Sequence, residues 1–192
     1  MLIRAADVTD EAKLACISLA AKAVWGYSAT QLSAWREDLS PAVASMLSRP
    51  TFVAEIGGEA AGYYQLVVRE RNADLEHLWV HPACMRQGIG RALVAHALEF
   101  AAAHGIDVLL IDSDPNAESF YLACGATRAG LSPAPIDGQP ERFRPQMVLS
   151  VAQYFHRASA VQDERWEEKL SVEDSCSDGG GLCEKILEPV PD

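Results

Sequence analysis

A β-branched and aromatic run that halts at His81-Pro82, a turn with glycines at 88 and 90, and a long apolar-periodic run starting directly after them constrain this 192-residue chain most. Glycine admits the positive φ of a tight turn and lets a ligand approach the backbone closely. The first amides of the following helix are unpaired and carry partial positive charge. Two phosphate loops are excluded by spacing, because neither G-x-x-x-x-G-K-[ST] nor G-x-G-x-x-G is present. Taken alone, Gly88-x-Gly90 fits either an ordinary strand-to-helix turn or a pyrophosphate cradle in which Arg86 and Arg91 supply the cations.

The flanking sequence sets that turn in an α/β pattern. Leu2–Ala5 reads as a short strand, and Thr9 as the N-cap of a helix reaching about Val24. Ser28-Ala29-Thr30-Gln31 has capping-box form and predicts a second helix. Thr51–Ile56 and Ala60–Val68 are joined by Gly57-Gly58 and predict an antiparallel hairpin. Asn72-Ala73-Asp74 is expected to break the chain before a strand over Leu75–Val80. Leu93, Val94, Ala97, Leu98 and Ala101 recur at helical spacing up to His104-Gly105. Val108–Ile111 reads as a central strand, Ala117–Cys124 as a short helix, and Ala126–Ala129 and Arg142–Leu149 as further strands. One domain over residues 1–150 is therefore expected, then a polar, helix-compatible extension over 151–170 and an acidic, disordered tail over 171–192.

Charge must be divided along the chain before it says anything about partners. Asp163–Asp192 holds ten acids against three bases and so carries −7 of the net −11, leaving −4 on the body. A body of that charge without a basic stripe argues against nucleic-acid binding. No run approaches the ~18 apolar residues of a membrane span, and the first residues lack a secretory layout, so a cytoplasmic protein is expected. Cys16, Cys84, Cys124, Cys176 and Cys183 show no paired or zinc-like spacing, which predicts free thiols and no metal.

Leu78-Trp79-Val80-His81-Pro82 followed by Arg86-Gln87-Gly88-Ile89-Gly90-Arg91-Ala92-Leu93 closely resembles the acyl-CoA pyrophosphate motif of the GNAT acetyltransferase family. Asp114–Ala126, with its Phe120-Tyr121 pair and closing Gly125, resembles the second CoA-side motif of that family, in matching order and separation. The likeness spans Leu2 to Leu149. Trp25-Gly26-Tyr27-Ser28 looks like one subset of small, unassigned bacterial members. It implies a mixed, mostly antiparallel α/β (α+β) fold, with a central sheet of six to seven strands flanked by about four helices. Two residues depart from the family pattern. Met85 stands where Gln or Arg is usual, and Asp114 where many members have Asn, which leaves Asn116 as the polar contact to the pantetheine arm.

What the resemblance implies is acetyl transfer from acetyl-CoA to an amine within a ternary complex, by a monomer or homodimer. Leu78, Trp79, Val80, Arg86, Gln87, Gly88, Ile89, Gly90, Arg91, Asn116 and Phe120 would hold the CoA. The Val80 amide would receive the oxyanion and Tyr121 would protonate the thiolate, an ordinary phenol (pKa ~10) suiting that role. Glu76 is the favoured base and Asp74 the alternate, since two residues apart on a strand they share a face, opposite His77. Trp25 and Tyr27 either line the acceptor pocket or pack as core aromatics. Cys84 and Cys124 lack an activating base. The competing class of function is a non-catalytic acyl-CoA-binding sensor or interaction module.

Overall fold

Gly57 (φ 61°) and Gly58 (φ 84°) both turn left-handed, the conformation of a type I′ hairpin. They fold β2 (Thr51–Ile56) onto β3 (Glu59–Val68), the expected antiparallel pair. In this computed structural model, which describes residues 1–157 and 159, the hairpin lies within a seven-stranded sheet. The other strands are β1 (Leu2–Ala5), β4 (Asn72–Val80), β5 (Val108–Asp112), β6 (Thr127–Pro133) and β7 (Phe143–Ser150), in the order β1-β2-β3-β4-β5-β7-β6. Only the β4–β5 pairing is parallel, and α5 (Ile89–Ala103) makes the crossover that such a pair requires.

Helices cover both faces. Along α5, Ile89, Leu93, Val94, Ala97, Leu98 and Ala101 form the buried stripe, packed with Leu66, Leu75, Leu109 and Leu149 of the sheet. Tyr121 of α6 (Glu118–Ala123) joins this core. On the opposite face Leu14 and Ile17 of α1 (Glu11–Ala23) and Met46 of α4 (Val43–Ser48) pack on Val53 and Tyr63. Two short helices, α2 (Ala29–Ala34), capped by Ser28 as expected, and α3 (Arg36–Leu39), lie between them. Within residues 1–150 six α-helices thus stand where about four were expected, because α3 and α4 span too few residues to show a period.

Three local expectations need correction. The entry to α1 is capped by Asp7, not Thr9: Asp7 accepts from the Thr9 amide and Asp10 accepts from the Asp7 amide, forming a capping box on a 3-10 turn. Asn72-Ala73-Asp74 does not break the chain but opens β4. Ala73 is buried between Val68 and Leu109, and Asp74 is neutralised by Arg69 at 2.7 Å. Finally, β6 runs past Ala129 to Pro133 through a bulge between Arg128 and Gly130.

The chain divides into a unit over Met1–Tyr154 and another from Phe155 onward. In the first, residues 151–154 are helical and Val151 is buried; in the second, residues 155–157 and 159 are helical. The rest of the expected extension and the whole expected acidic tail lie outside the described residues. No helix among the described residues is long and apolar enough to cross a membrane.

Candidate active site

The parallel ladder is short. Asn72, Ala73 and Asp74 pair with Val108, Leu109 and Leu110, and there pairing stops, although β4 continues to Val80 and β5 to Asp112. The two strands part into a wedge. Its cavity, about 400 Å³, is lined by Glu76, His77, Leu78 and Trp79 on one side and by Ile111, Asp112, Ser113 and Asp114 on the other. The His81 amide donates to Ala61 of β3 at 2.8 Å. Strand alternation therefore turns the Leu78 and Val80 amides away from β3, into the wedge.

Side-chain direction changes at a bulge. Gln65 pairs with His77 but Leu66 with Leu75, so Glu76 is the extra residue on β4. The expectation that His77 lies opposite Asp74 and Glu76 assumed unbroken alternation and fails here. Beyond the bulge Leu78 and Val80 face the α5 core, as Leu75 does, while His77 contacts Tyr63 and Trp79 on the α1 side. Glu76 reaches the cavity and is ion-paired with Arg49. Asp74, engaged by Arg69, does not line the cavity.

Beyond β4 the chain turns sharply into α5. Arg86 (φ 62°) is the one non-glycine with positive φ among the described residues, a conformation that costs roughly 1–3 kcal/mol and concentrates at ligand sites. Gly88 (φ 82°) is the N-cap of α5 and supplies no side chain to cap its amides. The result is a left-handed nest at a helix start, suited to an anion. Arg86, Gln87 and Arg91 are exposed around it; the Gln87 amide donates back to Ala83 at 3.1 Å. A Cβ on Gly90 would lie 3.2 Å from the Phe120 ring and 3.7 Å from Val80. That glycine therefore lets the first turn of α5 close onto α6 and the end of β4. Ile89 is buried below it.

Tyr121, next to Phe120, reaches the wedge from α6. Its hydroxyl has no hydrogen-bond partner among the described residues, and burial pushes its pKa well above the ordinary phenol value. The expected ordinary phenol is thus replaced by one that stays protonated. Burial also pushes the Cys124 thiol up, away from the thiolate a nucleophile needs. Burial likewise lowers the His77 pKa, outweighing the pull of Glu76. The neutral ring accepts from Trp79 Nε1 at 3.3 Å on Nδ1, which leaves the proton on Nε2. His77 is a hydrogen-bonded packing residue in this arrangement.

Across the cavity a second polar cluster gathers on Asp114. Its Oδ2 accepts from Lys22 Nζ at 2.5 Å, Tyr27 at 2.8 Å and Arg142 at 3.1 Å. Oδ1 accepts from the Asn116 backbone and side-chain amides, both at 2.9 Å. Burial opposes the charge on Asp114, but these donors, Lys22 first, outweigh it and hold the carboxyl below its usual range. The Lys22 ammonium lies 5.0 Å from the Trp25 ring, 4.9 Å from Tyr27, 4.8 Å from Trp35 and 5.9 Å from Trp79. Trp25 and Tyr27 thus belong to a cation-centred cluster, and Trp25 lines the cavity. Asn116, expected at a pantetheine arm, has its NH₂ turned to Asp114 and leaves its carbonyl oxygen available. Sequence reasoning missed Lys22, Trp35 and Arg142. The legible signal was Lys22 on the buried stripe of α1 with Leu14, Ile17, Ser18 and Ala21, where a lone lysine requires a partner.

Residues 20–126 match the acetyltransferase (GNAT) family. The chain belongs to the GNAT family. Its fold matches a GCN5-related N-acetyltransferase from Rhodopseudomonas palustris with a TM-score of 0.65 at 24% identity, over 78% of this chain and 94% of that one. A PaiA N-acetyltransferase from Thermoplasma acidophilum, solved in complex with coenzyme A, gives 0.60 at 17% identity over 78% and 98% of the two chains. The ribosomal-protein-S18-alanine N-acetyltransferase of Escherichia coli gives 0.60 at 22% over 78% and 93%. At these identities the likeness is one of fold. Within this GNAT chain, Asp114 is the counter-charge to Lys22 and Arg142.

Proposed function

We propose that this protein transfers an acetyl group from acetyl-CoA to a primary amine by direct attack in a ternary complex. One observation carries the reading: Glu76 and Tyr121 line the β4–β5 wedge, and β4 runs on from it to Val80, which lies beside Gly90 of the Arg86–Gly90 nest. The nest and the exposed Arg86 and Arg91 suit a pyrophosphate. The wedge-facing amides of Leu78 and Val80 suit an extended amide-containing arm, with Phe120 and Ile89 walling the base of the nest and Trp79 the side of the wedge. Gln87 and Asn116 complete the polar rim.

The amine nitrogen attacks the thioester carbonyl, forming a C–N bond, and the C–S bond breaks. Val80 N–H donates to the oxyanion, a term typically worth 10²–10³ in rate. Glu76, or a water it orders, takes the ammonium proton. Tyr121 protonates the departing thiolate and regains a proton from solvent. Burial weakens Tyr121 as an acid, but the same low dielectric raises the basicity of the thiolate, so the two stay matched. Asp74, outside the cavity, is the poorer candidate for base.

Tyr121→Phe should lower kcat by about 10²-fold or more while leaving the Kd for acetyl-CoA unchanged. Turnover at the wild-type rate would remove Tyr121 from this role.

A further inference from the structure

Lys22 and Arg142 leave a charge unbalanced. Their side chains are 10% and 6% exposed, and both pair with a single carboxylate, Asp114, itself 5% exposed. The buried cluster therefore sets two basic side chains against one carboxylate, both line the cavity, and burial lowers the Lys22 pKa against the pull of Asp114. Lys22 has three N–H donors and makes one hydrogen bond among the described residues; its other neighbours are ring faces. Nearby, Arg144 is ion-paired with Asp112 and also lines the cavity, while its buried Nε has no partner among the described residues. The remaining cavity charges are the anions Glu76, paired with Arg49, and Asp38, on the exposed side of α3. The cavity is thus lined by the buried Lys22–Asp114–Arg142 cluster, by the more exposed carboxylates of Glu76 and Asp38, and by the indoles of Trp25, Trp35 and Trp79.

We propose that the acceptor is an amine that also carries one carboxylate, as in an apolar amino acid, with Lys22 and Arg142 receiving the carboxylate and the indoles covering the apolar body. A monoanion balances the cluster; a phosphate dianion would overcharge it, and the distal ammonium of a polyamine would meet Lys22 and Arg142. This assignment rests on the acetyl-transfer reading, whose amine end it places toward Glu76.

The test compares phenylalanine, phenylalaninamide and phenethylamine as acceptors, following thiol release, with wild type, Lys22→Met and Arg142→Gln. The expected result is a kcat/KM for the free acid about tenfold or more above the amide and the amine. In either variant that preference should fall below about threefold, while melting temperature and acetyl-CoA affinity show that the variant remains folded. Equal or better use of the amide, the amine or a polyamine would overturn the carboxylate assignment and leave acetyl transfer standing. Calorimetry of N-acetylphenylalanine and its amide against the CoA-loaded protein separates the two claims. Selective binding of the acid without turnover of any acceptor would sustain the carboxylate site and overturn transfer; equal or absent binding of the two would overturn the site.

Discussion

Asp114→Asn isolates the buried charge cluster, since it keeps shape and one acceptor oxygen while removing the only carboxylate that Lys22 and Arg142 share. The asparagine carbonyl can still serve the Asn116 amides at Oδ1, but its NH₂ then faces Lys22, Tyr27 and Arg142, all donors to Oδ2 in the native cluster. Two cations, 10% and 6% exposed, lose their counter-charge. Breaking a buried pair from one side costs about 3–5 kcal/mol. For a domain of this size each kcal/mol shifts Tm by about 2–4 °C, so the variant should melt roughly 6–20 °C below wild type at pH 7. Adding Lys22→Met should recover part of that loss, because one of the stranded charges is removed. Thermal unfolding followed by circular dichroism measures both. A single variant within about 2 °C of wild type would refute the claim that Asp114 holds this cluster together. The pH window follows from the same group. Its pKa is depressed in the fold, so its contribution is full above the unfolded carboxylate value near ~3.9 and is lost as pH falls through the folded value.

His77 acts in a separate window: burial lowers its pKa, so the unfolded chain binds the proton first and stability should fall as pH drops below about 6.5. His77→Phe should flatten Tm between pH 7 and pH 5, and an unchanged slope would assign it elsewhere. Gly62→Ala would set a Cβ 2.7 Å from the Trp79 carbonyl oxygen, 3.3 Å from Val80 Cα and 3.2 Å from Leu93. Separating β3 from β4 there should cost about 1–3 kcal/mol and lower turnover by displacing the Val80 amide; wild-type Tm and activity would exclude that close approach.

The frame of the fold was legible where local chemistry dictates it. Gly57-Gly58 sets a hairpin, the period of Leu93 to Ala101 sets α5, and the Gly88-x-Gly90 turn sets the nest. The bulge at Glu76 was not legible, because nothing in Leu75-Glu76-His77 disrupts the strand pattern and the extra residue is specified by pairing with β3. That one residue moved His77 to the face opposite the one expected. Tyr121 was found by its motif, yet the shift in its pKa depends on the surrounding core, which no local pattern carries. The Lys22–Asp114–Arg142 cluster draws on three distant segments of chain. Only the oddity of a lysine on an apolar stripe announced it.

Acetyl transfer itself is tested most directly with isotopically labelled acetyl-CoA, purified protein and a panel of amines, measuring label in the N-acetylated product against thiol released. The account predicts one product per thiol, with both signals lost together when Gly88→Leu fills the nest. Tight acetyl-CoA binding without label transfer to any amine would contradict it and leave an acyl-CoA-binding module in its place.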